Sequence, residues 1–122
     1  MTIKLTKLDR LFSLYIRTKA RWQCERCGKG FTPPTAQLHC SHFHGRRKSS
    51  VRYDAENASA LCFACHQYFG EHPHEHTEWF RQRLGRDRYA ALLSRAHDLN
   101  HVDLKLIEQG LRARLKVLGV QP

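Results

Sequence analysis

Four cysteines stand in two pairs, Cys24-x-x-Cys27 and Cys62-x-x-Cys65. A CxxC turn presents two thiolates at the separation that a tetrahedral zinc ion requires, and two such turns complete a four-sulfur site. The second pair begins 35 positions after Cys27, so the turns meet only if the chain between them folds back. With sulfur in all four positions no place is left for water, and the expected zinc is structural. The fifth cysteine, Cys40, leaves an odd count that does not read as a disulfide framework. It reads as a free, small, buried thiol in a reducing compartment. Histidines crowd the same region: His39, His42 and His44 lie between the pairs, His66 follows Cys65 directly, and His72, His74 and His76 form a cluster beyond. A neutral imidazole can take a proton near neutral pH or offer a lone pair to a metal.

These groups need elements to hold them. Residues 5–21 read as a helix, because Leu5, Leu8, Leu11, Phe12, Tyr15 and Ile16 recur at three- and four-residue steps. Residues 22–70 are irregular, punctuated by Gly28, Gly30, Pro33 and Pro34. Within them Gln37–Phe43 reads as a strand, Gly45–Ser50 as a flexible basic loop, Val51–Tyr53 as a short strand, and a helix starts near Asn57 or just after Cys62. Residues 74–118 read as helices over 75–84, 86–96 and 103–118, with Gly85 as a stop and Asp103 as a cap. The last carries an apolar stripe, Leu104, Ile107, Leu111, Leu115 and Leu118, read first as core packing and second as a homodimer face.

The chain of 122 residues suggests one compact domain, with 41% hydrophobic residues for a modest core. Lysine and arginine total 21 against 11 acidic residues, for a formal net charge of +10. That excess points to a polyanionic partner, most simply nucleic acid. No stretch approaches a membrane span, and the start, Met1 to Arg10, has no apolar core of signal-peptide length. The expected location is the cytoplasm.

His42, Asn57 fifteen positions later and His66 nine further on together resemble the signature of the HNH endonucleases. The run Asn57-x-x-x-Leu61-Cys62-x-x-Cys65-His66 is similar to the second half of that motif in its zinc-containing, four-cysteine branch. The resemblance covers about residues 24–70. It implies an α+β fold in one nuclease domain over residues 1–122: a zinc-stapled ββα-metal core at 22–70, flanked by the N-terminal helix and the helical C-terminal extension. His42 would be the general base, at the end of the first strand. His66 would hold a catalytic Mg²⁺ or Mn²⁺, which offsets charge on the phosphoryl and leaving oxygens. Asn57 would pin the loop that carries the base. Many HNH enzymes place Asp or His just before the base as a second metal ligand, and here that position is Ser41, a poor one. The metal would then rest on His66, the substrate phosphate and water, with His39, His44, His72 or His74 as candidates to help.

A looser likeness extends further. The segments 8–17 and 79–89 resemble phage NinG (Rap) recombination nucleases. That implies phage or prophage origin and a branched DNA substrate, such as a Holliday junction or D-loop. Arg46, Arg47, Lys48 and Arg52 lie between the base and Asn57 and are expected to contact the DNA backbone, with Arg81, Arg83, Arg86 and Arg88 extending the track. No base-reading element is visible, so sequence specificity should be low. Plainer readings stand beside these: His42 as a structural residue, His66 as a support of the zinc site, Asn57 as a helix cap, and an ordinary basic loop. In function, the competing classes are a zinc-dependent DNA-binding module without chemistry and an accessory protein of phage packaging or recombination.

Overall fold

The computed structural model describes residues 3–122; Met1 and Thr2, the first positions of the N-terminal run, lie outside them. Helix α1 spans Lys7–Lys19. Thr6 caps it by accepting from the Asp9 N–H, while the Asp9 carboxylate accepts from the Thr6 N–H, a reciprocal capping box. Strands β1 (Leu38–His42) and β2 (Ala58–Cys62) pair antiparallel, with Leu38 opposite Cys62 and His42 opposite Ala58. Helix α2 (Phe63–Glu71) starts at once, the Cys62 sulfur accepting from the Cys65 N–H at its N-terminus. Helices α3 (Pro73–Leu84), α4 (Arg86–Ala96) and α5 (Leu104–Val117) follow. The architecture of the described residues is α+β, with a two-stranded sheet, five α-helices and a four-cysteine zinc site.

The strand expected at Val51–Tyr53 is not there. That stretch runs from the end of one 3₁₀ turn, Ser49–Val51, towards another, Ala55–Asn57, and the second strand is Ala58–Cys62. All five of its residues are buried, so it shows no polar–apolar alternation to mark it as a strand. The helix expected at 75–84 begins two residues earlier, on Pro73, whose missing N–H costs nothing in a first turn.

Leu11, Phe12 and Ile16 of α1 meet Leu38, Ala58, Ala60 and Leu61 of the sheet, Phe69 of α2, and Leu111 and Leu115 of α5. Part of the α5 stripe is therefore core, while Leu104 and Leu118 at its ends are exposed. A second cluster, Val51, Phe80, Leu84, Leu92 and Ala96, ties the long β1–β2 connection to α3 and α4. Phe43 lies flat on Phe80 there, ring centroids 4.2 Å apart.

Candidate functional site

The two cysteine turns do meet. One donor sulfur from each of Cys24, Cys27, Cys62 and Cys65 lies within 4.8 Å of the others, and the Cys27 and Cys62 sulfurs are 3.8 Å apart. Tetrahedral zinc with bonds of about 2.3 Å requires sulfurs about 3.8 Å apart, so the residues fit the ion. Glu25 docks the first turn on β2. Its N–H donates to the Ala60 carbonyl (2.8 Å), its carboxylate accepts from the Ala60 N–H (2.6 Å), and the Arg83 guanidinium holds its other oxygen. Gly28 closes the turn at φ +81°, a conformation that side chains resist. Burial pushes the Cys65 thiol up to about 12. Burial also pushes the Cys24 thiol up, but backbone N–H groups of Cys27, Cys62 and Arg26 outweigh it and hold it at about 7. A cation among the sulfurs lets all four ionise.

His42 ends β1. Its Nε2 lies 2.8 Å from the Arg52 carbonyl oxygen, so Nε2 carries the proton and Nδ1 keeps the lone pair. Nδ1 is buried and has no hydrogen-bond partner among the described residues. Burial, above all, pushes the imidazole down to about 4, so it is neutral at neutral pH. The Arg52 carbonyl is itself held: the Arg52 guanidinium grips the buried Asp9 through two bonds, Nε to Oδ1 (2.9 Å) and Nη2 to Oδ2 (2.6 Å). Arg52, expected to touch DNA, is thus committed to Asp9 and braces α1 against the residue that orients His42.

Asn57 is wholly buried just before β2. Its Oδ1 accepts from the His44 N–H (2.8 Å), and its Nδ2 donates to the carbonyls of His44 (2.8 Å) and Val51 (3.1 Å). Its own carbonyl accepts from the Phe43 N–H at 2.8 Å. One side chain therefore fastens both ends of the 44–51 segment, which is anchored where the sequence suggested a flexible loop. Ser50 adds a hydrogen bond to the Arg95 carbonyl, and Arg95 in turn grips Asp54 and Glu56.

A cleft of about 540 Å³ is lined by His42, His66, Cys40 and the Gly45–Lys48 loop with Ile3 and Leu5. It joins His42, His66, Arg46, Arg47 and Lys48, while Asn57 stands behind the loop. Arg46 leans towards Asp9 at 3.9 Å, and Arg47 and Lys48 are exposed. Burial pushes the Cys40 thiol up to about 12, so it stays protonated. His44 Nε2 is also buried and unpartnered among the described residues, but His44 does not line this cleft. His66 is half-buried, and its Nδ1 lies 3.0 Å from Nδ1 of His39.

Other basic and histidine residues sort differently from the expectation. Arg83 is paired with Glu25 and Arg88 with Glu56, so both brace the fold, whereas Arg86 is 90% exposed beside Asp87. Of the 72–76 histidines, His76 is half-buried and stacked on Phe69, centroids 4.6 Å apart, while His72 and His74 are exposed. The contacts of Asp9, Glu25 and His39 leave little trace in the sequence. Only the capping-box spacing Thr6-x-x-Asp9 marks one of them.

Among the described residues no helix is long and apolar enough to cross a membrane. No curated protein and no solved structure matches the chain. Residues 24–70, from the first zinc cysteine through the hairpin and its connection to Gly70 near the end of α2, match the family model described as HNH endonuclease.

Proposed function

We propose that the chain is a metal-dependent endonuclease that hydrolyses DNA phosphodiester bonds in its basic cleft. The observation that carries this is the state of His42: a neutral imidazole whose Nε2–H is spent on the Arg52 carbonyl and whose buried Nδ1 is an unpaired acceptor beside the cationic loop. An unpaired buried acceptor costs about 1–3 kcal/mol, and a water entering the cleft is the natural donor to it. His42 Nδ1 takes a proton from that water as it attacks phosphorus. Asn57 does not react; it holds the loop in register. Arg46, Arg47 and Lys48 position the backbone phosphates, and Arg52 supports His42 from behind. His66 would hold a divalent cation, Mg²⁺ or Mn²⁺, which when bound stabilises charge on the phosphoryl and 3′ oxygens. The products would carry 5′-phosphate and 3′-hydroxyl ends.

The test is plasmid nicking with Mg²⁺ or Mn²⁺ by zinc-loaded protein. Cleavage should vanish in His42→Ala and persist in His44→Ala. DNA binding without cleavage by either would favour a zinc-dependent DNA-binding module or an accessory protein. A narrower reading makes the substrate a branched recombination intermediate; it rests only on the resemblance of segments 8–17 and 79–89 to NinG nucleases. Equal cleavage of a four-way junction and a linear duplex of matched sequence would sink it.

A further inference from the structure

His39 has no role in the proposed reaction, yet its Nδ1 lies 3.0 Å from Nδ1 of His66, a contact that is an N–H···N hydrogen bond when no cation stands between them. With metal–nitrogen bonds of about 2.1 Å, donors at this distance subtend about 90° at a shared ion. That is the angle between neighbouring ligands of an octahedron. Tetrahedral coordination at the same bond length needs nitrogens about 3.4 Å apart, so the spacing differs in kind from the four-sulfur site.

Both donors sit on rigid elements. His39 lies within β1, opposite Leu61, and His66 lies in the first turn of α2, directly after the zinc ligand Cys65. Along a strand, residues two apart return to the same face, so His39 shares the face of Ser41. His66 also lines the cleft that holds His42, whereas His39 lines the neighbouring pocket beside the zinc cysteines, so the pair stands between the two.

We infer that His39 and His66 chelate one octahedral divalent cation through their Nδ1 atoms, His39 supplying the ligand that Ser41 cannot. The inference rests on the proposed role of His66. Two imidazole nitrogens favour a transition-metal dication such as Mn²⁺ over Mg²⁺, which prefers oxygen ligands. The remaining positions are left for water and phosphate oxygens.

The test is Mn²⁺ titration of the zinc-loaded full chain, monitored by the electron paramagnetic resonance signal of free Mn²⁺. Zinc content and circular dichroism verify the fold of each variant. The wild type should bind one Mn²⁺ per chain. His39→Ala and His66→Ala should each weaken binding at least about tenfold, and His72→Ala should not. His39→Asn, whose amide oxygen can stand where Nδ1 does, should recover part of that affinity. Binding abolished in His66→Ala but unchanged in His39→Ala would overturn the chelate while leaving His66 as a ligand. Wild-type levels in both variants, or no binding by the wild type at millimolar Mn²⁺, would overturn the chelate and the role of His66 together.

Discussion

The Arg52 guanidinium grips the Asp9 carboxylate at 2.6 Å, and the carbonyl of the same Arg52 holds His42 at 2.8 Å. Asp9 is 5% exposed, and it also closes the capping box of α1. Burial pushes its carboxyl up, but hydrogen bonds from Arg52 and Thr6 outweigh that and hold it at about 2. Removing one partner of a buried pair leaves an uncompensated charge. Asp9→Ala should therefore destabilise the chain by about 3 kcal/mol in urea unfolding. It should also slow nicking in whatever fraction remains folded, because Arg52 no longer fixes the carbonyl that orients the imidazole.

The pH dependence of stability follows from the same two groups. Folded His42 stays neutral down to about pH 4, whereas the unfolded chain takes up that proton near 6.5. Its contribution is intact above pH 6.5 and is lost as pH falls from 6.5 towards 4. Asp9 adds a second loss, between its unfolded value of 3.8 and its folded value of about 2. Between pH 7 and 5, His42→Gln should lose less stability than the wild type, by on the order of 2 kcal/mol. Urea midpoints at the two pH values, with zinc content matched, check this. An equal loss in both proteins would show that His42 is not the group that titrates.

Asn57→Ala removes three side-chain hydrogen bonds and leaves the His44 N–H and carbonyl unpaired, while the Val51 carbonyl keeps only the Asp54 N–H. The expected cost is about 3 kcal/mol or more. Asn57→Asp is the sharper variant. It keeps the acceptor for the His44 N–H but sets a carboxylate oxygen against two carbonyls, so it should be no more stable than the alanine form and equally poor in cleavage.

How much of this was legible in the sequence depends on the kind of signal. The cysteine spacing announced the zinc site, because ligand geometry is written in residue separation. Helices α1, α3, α4 and α5 were legible from their apolar steps, with ends set within about two residues, whereas the start of α2 stayed open between Asn57 and the residue after Cys62. Strand Ala58–Cys62 was not, because burial on every side erases alternation. The Arg52–Asp9 pair was not legible because the partners lie 43 positions apart, and no local pattern announces a long-range ion pair. The convergence of His39 and His66, 27 positions apart, is likewise a product of the fold.

Zinc removal should unfold the core and leave no reduced-activity intermediate, because the sulfurs join the first turn to β2 and α2. Cys27 is the exposed member of the four, so a chelator should meet the site there. Cys27→Ser should lower zinc content and melting temperature together. A zinc-free chain with unchanged helical circular dichroism would contradict the structural role.

DNA affinity should fall steeply with salt. Neutralising Arg47 and Lys48 should reduce the slope of log K against log salt by about 1 for each phosphate that the side chain neutralises. Arg83→Gln and Arg88→Gln should leave that slope alone, since both cations are committed to carboxylates of the fold. Fluorescence anisotropy at several salt concentrations separates the two groups.

The most direct measurement is plasmid nicking by the wild type and His42→Ala at equal zinc content, with Mn²⁺ supplied. Cleavage by the wild type alone, with both proteins still binding DNA, is the predicted result. Equal cleavage by both proteins would contradict His42 as the base, and no cleavage by either, on branched as well as linear DNA, would contradict the nuclease itself.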